Sequence, residues 1–209
     1  MSKNSKIIIK NRQCAFPNLA EAKAFVEGTE GKFNIKMLIP KDDKEFVKNF
    51  KEWVKIQIDA TDWSATQKKQ VFKTAFDSDN GYNDNCALKD GDHVNARRVD
   101  EDKDPYDFYA GHYLISANRK GSFGPPLVVG TNAESILLPN IKSEIVGGYW
   151  VNVQVGSYCY SKPKAGVSIQ LLAVQKIKED VAFGQTNPFD VLEAAEEDTT
   201  EETEANPFD

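Results

Sequence analysis

The chain has 209 residues, 40% of them hydrophobic, and a formal net charge of -6. That content suffices for one sizeable core, and the absence of any apolar run of about 18 residues excludes a membrane-spanning helix. The first residues offer only Ile7-Ile8-Ile9 as an apolar stretch, too short for a signal-peptide core, so a cytoplasmic protein is expected. The three cysteines, Cys14, Cys86 and Cys159, are too far apart to suggest a disulfide framework or a CxxC metal site.

The distribution of charge is more informative than its sum. Residues 190–209 hold nine acidic side chains and no Lys or Arg, whereas residues 1–189 carry 26 basic and 23 acidic side chains, a net of +3. A mildly basic body precedes a strongly acidic tail, and the division predicts a domain over 1–184 and a disordered tail over 185–209, where apolar content collapses.

In chain order, residues 6–14 predict a strand, interrupted at Pro17. Residues 32–40 alternate Phe33, Ile35, Met37 and Ile39 with Lys32, Asn34, Lys36 and Leu38, a strand with one mostly polar face. Asp42 or Asp43 caps a helix running to about Ile58, with Phe46, Val47, Phe50, Trp53, Val54 and Gln57 as its core stripe. A shorter helix starts at Ser64 and carries Val71, Phe72, Ala75 and Phe76. Residues 94–99 and 109–118 predict strands around an acidic loop, 100–107. Residues 127–129 predict a short strand, and 136–138 another or a turn. The last two strands fall at 149–160 and 166–178, joined by the basic loop Ser161-Lys162-Pro163-Lys164-Ala165. The fold class is mainly β (α+β), an OB-fold-like antiparallel barrel with helices inserted early.

The segment 149–160 carries the strongest functional signal. Tyr149, Val151, Val153, Val155 and Cys159 form its packed side, while Trp150, Asn152, Gln154, Gly156, Tyr158 and Tyr160 lie opposite, next to Lys162 and Lys164. Rings beside cations suit sequence-tolerant single-strand binding, each stacked base contributing about 1–3 kcal/mol while lysines neutralise phosphates. The alternative is a second core layer beneath the inserted helices, and for Trp150 packing is the favoured reading although it stays among the candidates. Arg97, Arg98, Arg119 and Lys120 are further candidates for phosphate contact. Tyr106, Phe108, Tyr109 and Tyr113 are either stacking surface or core.

Catalysis is weakly supported, so a non-enzyme without cofactor or metal is expected. His93 and His112 have no partner signature for a triad. Two acidic clusters miss the calcium-loop pattern: counted from Asp77 the twelfth residue is Leu88 instead of Glu, and counted from Asp100 the sixth is Pro105 instead of Gly. In the tail, Asn-Pro-Phe-Asp occurs at 187–190 and again at 206–209. A ring on an acidic strand is a docking peptide, making Phe189, Phe208 and Asp209 candidates for partner binding.

These features, in this order, resemble the bacteriophage single-stranded DNA-binding proteins. The resemblance rests on Ala15-Phe16-Pro17-Asn18-Leu19, on residues 33–40 leading into a helix, on Tyr109-Ala110-Gly111-His112-Tyr113, on 148–160 backed by 166–171, and on the acidic end. It implies an OB-fold body, coating of single-stranded DNA in replication, recombination and repair in the host cytoplasm, recruitment of partner enzymes through the tail, and stacking aromatics at Tyr158 and Tyr160. One departure is Asp209 after Phe208, where related tails commonly finish on the aromatic. Monomer and homodimer both remain open. The rival reading is an adaptor that displays the two NPFD peptides.

Overall fold

The computed structural model describes residues 6–24, 27–77, 86–161 and 164–184. Strand β1 spans Ile7–Lys23 and β2 Lys32–Pro40, the latter as expected from its alternation. Pairing of β1 with β2 does slip at Pro17, between Ala15 and Asn18, but the strand resumes and continues to Lys23. A bulge accommodates the missing proline N–H and leaves Phe16 with φ 49.

Helix α1 covers Lys44–Asp59, its first turn capped by the Asp43 carboxylate, which accepts from the Phe46 N–H. That hydrogen bond and the neighbouring Arg12 guanidinium hold the Asp43 carboxyl below its ordinary range. Helix α2, Ala65–Phe76, is capped by Ser64. Both boundaries follow the sequence signals.

Beyond a two-residue strand β3, Lys89–Asp90, the expected strand at 94–99 is instead helix α3, Gly91–Asp100. Val94 and Val99 suggested β structure, yet Asp90 accepts from the N–H groups of Asp92 and His93 and so starts a helix that Ala96, Arg97 and Arg98 sustain. Strand β4 is His112–Lys120, β5 Leu127–Val129, β6 Trp150–Tyr160 and β7 Gly166–Lys178, with a single helical turn, α4, at Ile141–Glu144. The segment 136–138 forms no strand; Ser135 makes an isolated bridge to Val129 before the chain turns.

Strands β4-β2-β1-β6-β7 run side by side, and β4 closes onto β7, pairing Ala117 with Ile169 and Asn118 with Gln170. This closed five-stranded barrel with helices is an OB fold. Its closing pair is parallel while the other four junctions are antiparallel. Ile9, Ile35, Met37, Ile115, Val151, Val153, Val155 and Leu171 fill the interior, and Phe50, Val54 and Ile58 of α1 join the same core. Truncating a ring such as Phe50 to Ala costs about 3–5 kcal/mol. A smaller second core, Ala15, Leu38, Tyr109 and Leu114, lies beneath Val94, Tyr106, Phe108 and Phe183.

Cys14 and Cys86 are buried and Cys159 half-buried, all as free thiols. Burial pushes the Cys14 thiol up to about 12, which keeps it protonated and inert. Among the described residues no helix is long and apolar enough to cross a membrane, and no group of three or more His, Cys, Asp or Glu is placed to hold a metal ion.

Candidate nucleic-acid interface

Residues two apart on a strand share a face, and this periodicity builds the floor of an open groove of about 1450 Å³. Lys32, Asn34 and Lys36 of β2 sit opposite Lys120, Asn118 and Ser116 of β4. Asn118 is in register with Gln170 of β7, and Asn34 with Asn18 of β1, so a row of amides crosses the groove. Within that row the Asn18 amide donates to the Asn34 side-chain oxygen at 2.7 Å. Cations flank it: Lys32 and Lys120 on one side, Lys36 on the other.

Tyr158 and Tyr160 bound the groove from β6. Their rings are nearly parallel, centroids 6.2 Å apart at 19°, and Tyr158 is 55% exposed. Tyr160 lies directly opposite Gly166 of β7, and a Cβ at that glycine would fall 2.4 Å from the Tyr160 hydroxyl. The glycine therefore makes room for the ring. Trp63 supports the end of the strand by donating its indole N–H to the Ser161 hydroxyl, 3.0 Å.

The rim is built by loops held close together. Gly121 N–H donates to Gly31 O at 2.8 Å, and Ser122 N–H donates to the Glu30 carboxylate at 2.9 Å. Those Ser122 contacts, with Lys120 and Lys32 nearby, lower the Glu30 pKa. Arg119 donates from Nε to Gly124 O and from Nη2 to Phe123 O, both 2.8 Å, which presents the Phe123 ring to solvent at 61% exposure. The opposite wall consists of Phe16, Tyr106 and Val94.

Of the residues singled out from sequence, the groove brings together Tyr106, Tyr158, Tyr160, Arg119 and Lys120. Arg98 stacks behind the wall, its guanidinium 3.9 Å from the Tyr106 ring centroid and its Nε donating to Asp104 O. Arg97 pairs with Glu101 on the same helix. Lys164 is exposed beyond the end of β6 and does not line the groove. Trp150 lies at the other end of β6, donating to the Asp180 carboxylate at 2.7 Å beneath the Lys178 ammonium. Lys162, Phe189, Phe208 and Asp209 lie outside the described residues.

Residues not singled out from sequence include Phe16, Lys32, Lys36, Lys89, Asn34, Asn118 and Phe123. The polar alternation of β2 was a usable signal for three of them. Phe16 is marked only by the following Pro17, which signals the bulge, and nothing local in the sequence marks Phe123, whose exposure depends on a loop clamped by Arg119.

The barrel and groove define a class, an OB fold whose outer face carries cations, amides and exposed rings. A family model described as Enterobacter phage Enc34, ssDNA-binding protein, matches residues 5–205. The chain belongs to that family. Protein p50 of Acyrthosiphon pisum secondary endosymbiont phage 1 is 27% identical over 198 residues, 92% of this chain and 97% of that one. Among solved structures, the single-stranded DNA-binding protein from bacteriophage Enc34 in complex with ssDNA is 26% identical, with a TM-score of 0.59 over 86% of this chain and 89% of that chain. A C-terminally truncated form of the Enc34 protein is 25% identical with the same TM-score, covering 85% and 88%.

Proposed function

We propose that this protein binds single-stranded DNA without sequence preference, along the groove across β2, β4 and β7. The observation that carries the reading is the near-parallel pair Tyr158 and Tyr160 at the end of a floor bearing Lys32, Lys36 and Lys120. Bases in a duplex have both faces covered by neighbours, so exposed rings favour unstacked strands, and every base has a face to offer. Arg119 is engaged with two loop carbonyls, which leaves its fork unsuited to bidentate reading of guanine. The amide row donates and accepts alike. The family and the ssDNA complex of the Enc34 protein point the same way.

In this reading the body protects transient single strands during phage replication, recombination and repair, and the acidic tail recruits partner proteins through Phe189 and Phe208. The tail also competes with DNA for the groove. Phe183, near the end of the described body, stacks face to face on Phe108 at 4.1 Å, and Phe108 adjoins the groove residues Tyr106 and Phe16. The described residues end beside this cluster, so a segment joined there meets the groove at an effective concentration in the millimolar range.

The test is a fluorescence-anisotropy titration of labelled oligo-dT and of a duplex, using the full chain and a chain lacking residues 190–209. Single-strand affinity above duplex affinity, tightened by tail removal, is the expected result. Equal affinity for both nucleic acids overturns the single-strand assignment. Unchanged affinity after tail removal overturns the competition, and no binding by either chain leaves an NPFD-displaying adaptor as the better reading.

A further inference from the structure

We propose that Phe16 and Lys36, backed by Tyr106, form a second nucleotide subsite across the groove floor from Tyr158 and Tyr160, where a base stacks on Phe16 and the adjoining phosphate meets the Lys36 ammonium. This rests on the single-strand reading above and extends it to a second point of attachment.

Three observations support it. Phe16 is 38% exposed and faces the groove from the β1 bulge, with a φ of 49 that a side-chain-bearing residue rarely adopts. Such strain persists only where the surroundings enforce it, and bulges re-aim side chains at functional sites. The ring is gripped by aromatic neighbours, Tyr106 at 5.0 Å and 61° and Tyr109 at 6.3 Å and 83°. It is therefore a fixed platform, which limits the entropy lost when a base settles on it.

Lys36 supplies the second argument. Its Nζ donates to the Tyr109 hydroxyl at 2.9 Å and lies 5.0 Å from the Phe16 ring centroid, with no carboxylate partner among the described residues. The charged groups acting on it are Lys89 of β3 and Arg98 of α3, both cationic. Burial, with those two neighbours, lowers its pKa to about 8. A half-buried ammonium set among cations lacks an anion, and a phosphate would supply one.

The third is position. Lys36 and Asn34 share the face of β2, and Asn34 belongs to the amide row that leads through Asn118 and Gln170 towards β6. A strand can therefore run from one ring platform to the other over polar floor.

The test compares oligo-dT of about 5 and about 20 nucleotides, a range that spans the site sizes of OB folds. Wild type, Phe16→Leu, Lys36→Met and Tyr158→Ala/Tyr160→Ala are titrated with each. Phe16→Leu and Lys36→Met are expected to weaken the long oligomer about tenfold, the size of one stacked ring or one neutralised phosphate, and the short one less than twofold. Weakening at both lengths alike, or at neither, overturns the second subsite, while failure of the Tyr158/Tyr160 variant to weaken either length overturns the first. If Phe16→Leu does not fold, Lys36→Met decides the matter. Wild-type affinity for the long oligomer should fall as pH rises through about 8. In Lys36→Met that dependence should vanish, whereas Lys36→Arg should keep the affinity and lose the dependence. A pH dependence unchanged in Lys36→Met removes Lys36 from the site.

Discussion

The two ends of β6 carry aromatic residues on the same face, and they differ in what covers them. At one end Trp150 is half-buried, its N–H donating to the Asp180 carboxylate and the Lys178 ammonium lying over its ring. At the other, Tyr158 is exposed and Tyr160 half-buried beside a cation-lined groove, with Gly166 leaving space for the second ring. Alternation along a strand therefore settles which residues share a face. Whether that face meets neighbouring chain or borders a groove depends on distant residues, here 178–180 at one end and the groove lining of β7 at the other.

That contrast can be broken most sharply by exchanging its ends. Tyr158→Ala/Tyr160→Ala should reduce affinity for oligo-dT by about a hundredfold, from two stacked rings, while Trp150→Ala should change it less than about twofold. An anisotropy titration in which Trp150→Ala weakens binding as much as the double variant would place DNA on the wrong end of β6.

Gly166→Ala sharpens the comparison without removing either ring. The new Cβ must push the Tyr160 ring aside, so affinity should fall by about five- to tenfold, within the range for one misplaced stacking ring, with far-ultraviolet circular dichroism unchanged. Lys32→Ala/Lys120→Ala probes the floor between the two ring platforms. The slope of log affinity against log salt should become shallower by about 0.7 for each phosphate that these lysines no longer neutralise. An unchanged slope would mean that the DNA backbone does not pass them.

Smaller effects concern stability. Lys36 has a folded pKa of about 8, below the ordinary lysine value, so the unfolded chain binds its proton more readily. Its charge opposes folding below pH 8, and the penalty fades as pH climbs from about 8 towards 10.4. Lys36→Met should raise Tm by about 2–4 °C at pH 7, with the two curves converging at high pH. A site that binds better than it folds would show this opposition of affinity and stability. Smallest of all, Asp180→Ala removes the acceptor of the Trp150 indole N–H, and should lower stability by about 1 kcal/mol with no change in oligo-dT affinity.

Much of the scaffold was legible beforehand. The alternation of residues 32–40, the cap residues Asp43 and Ser64, and the last strand at 166–178 all mark elements whose stability comes from local hydrogen bonding and a one-sided apolar pattern. Residues 91–100 form a helix where a strand is expected over 94–99, because Asp90 caps the segment and Asn95 anchors it by exchanging hydrogen bonds with Tyr106, neither of which the β-branched Val94 and Val99 reveal. Of the groove, Tyr106, Tyr158, Tyr160, Arg119 and Lys120 are named by the sequence, and their neighbours on β2 only as a polar face.

The sequence alone thus determined the periodicities, the caps and the concentration of acidic side chains in residues 190–209, because each depends on residues near one another along the chain. Barrel closure, and with it the groove, was decided only in three dimensions. Asn18, Asn34, Asn118 and Gln170 come together through pairings across more than 150 residues. Arg119 became a clamp for Phe123, and Trp150 was capped by Asp180. Contacts of that kind are set by register and by which loop approaches which strand, and no short-range pattern encodes them.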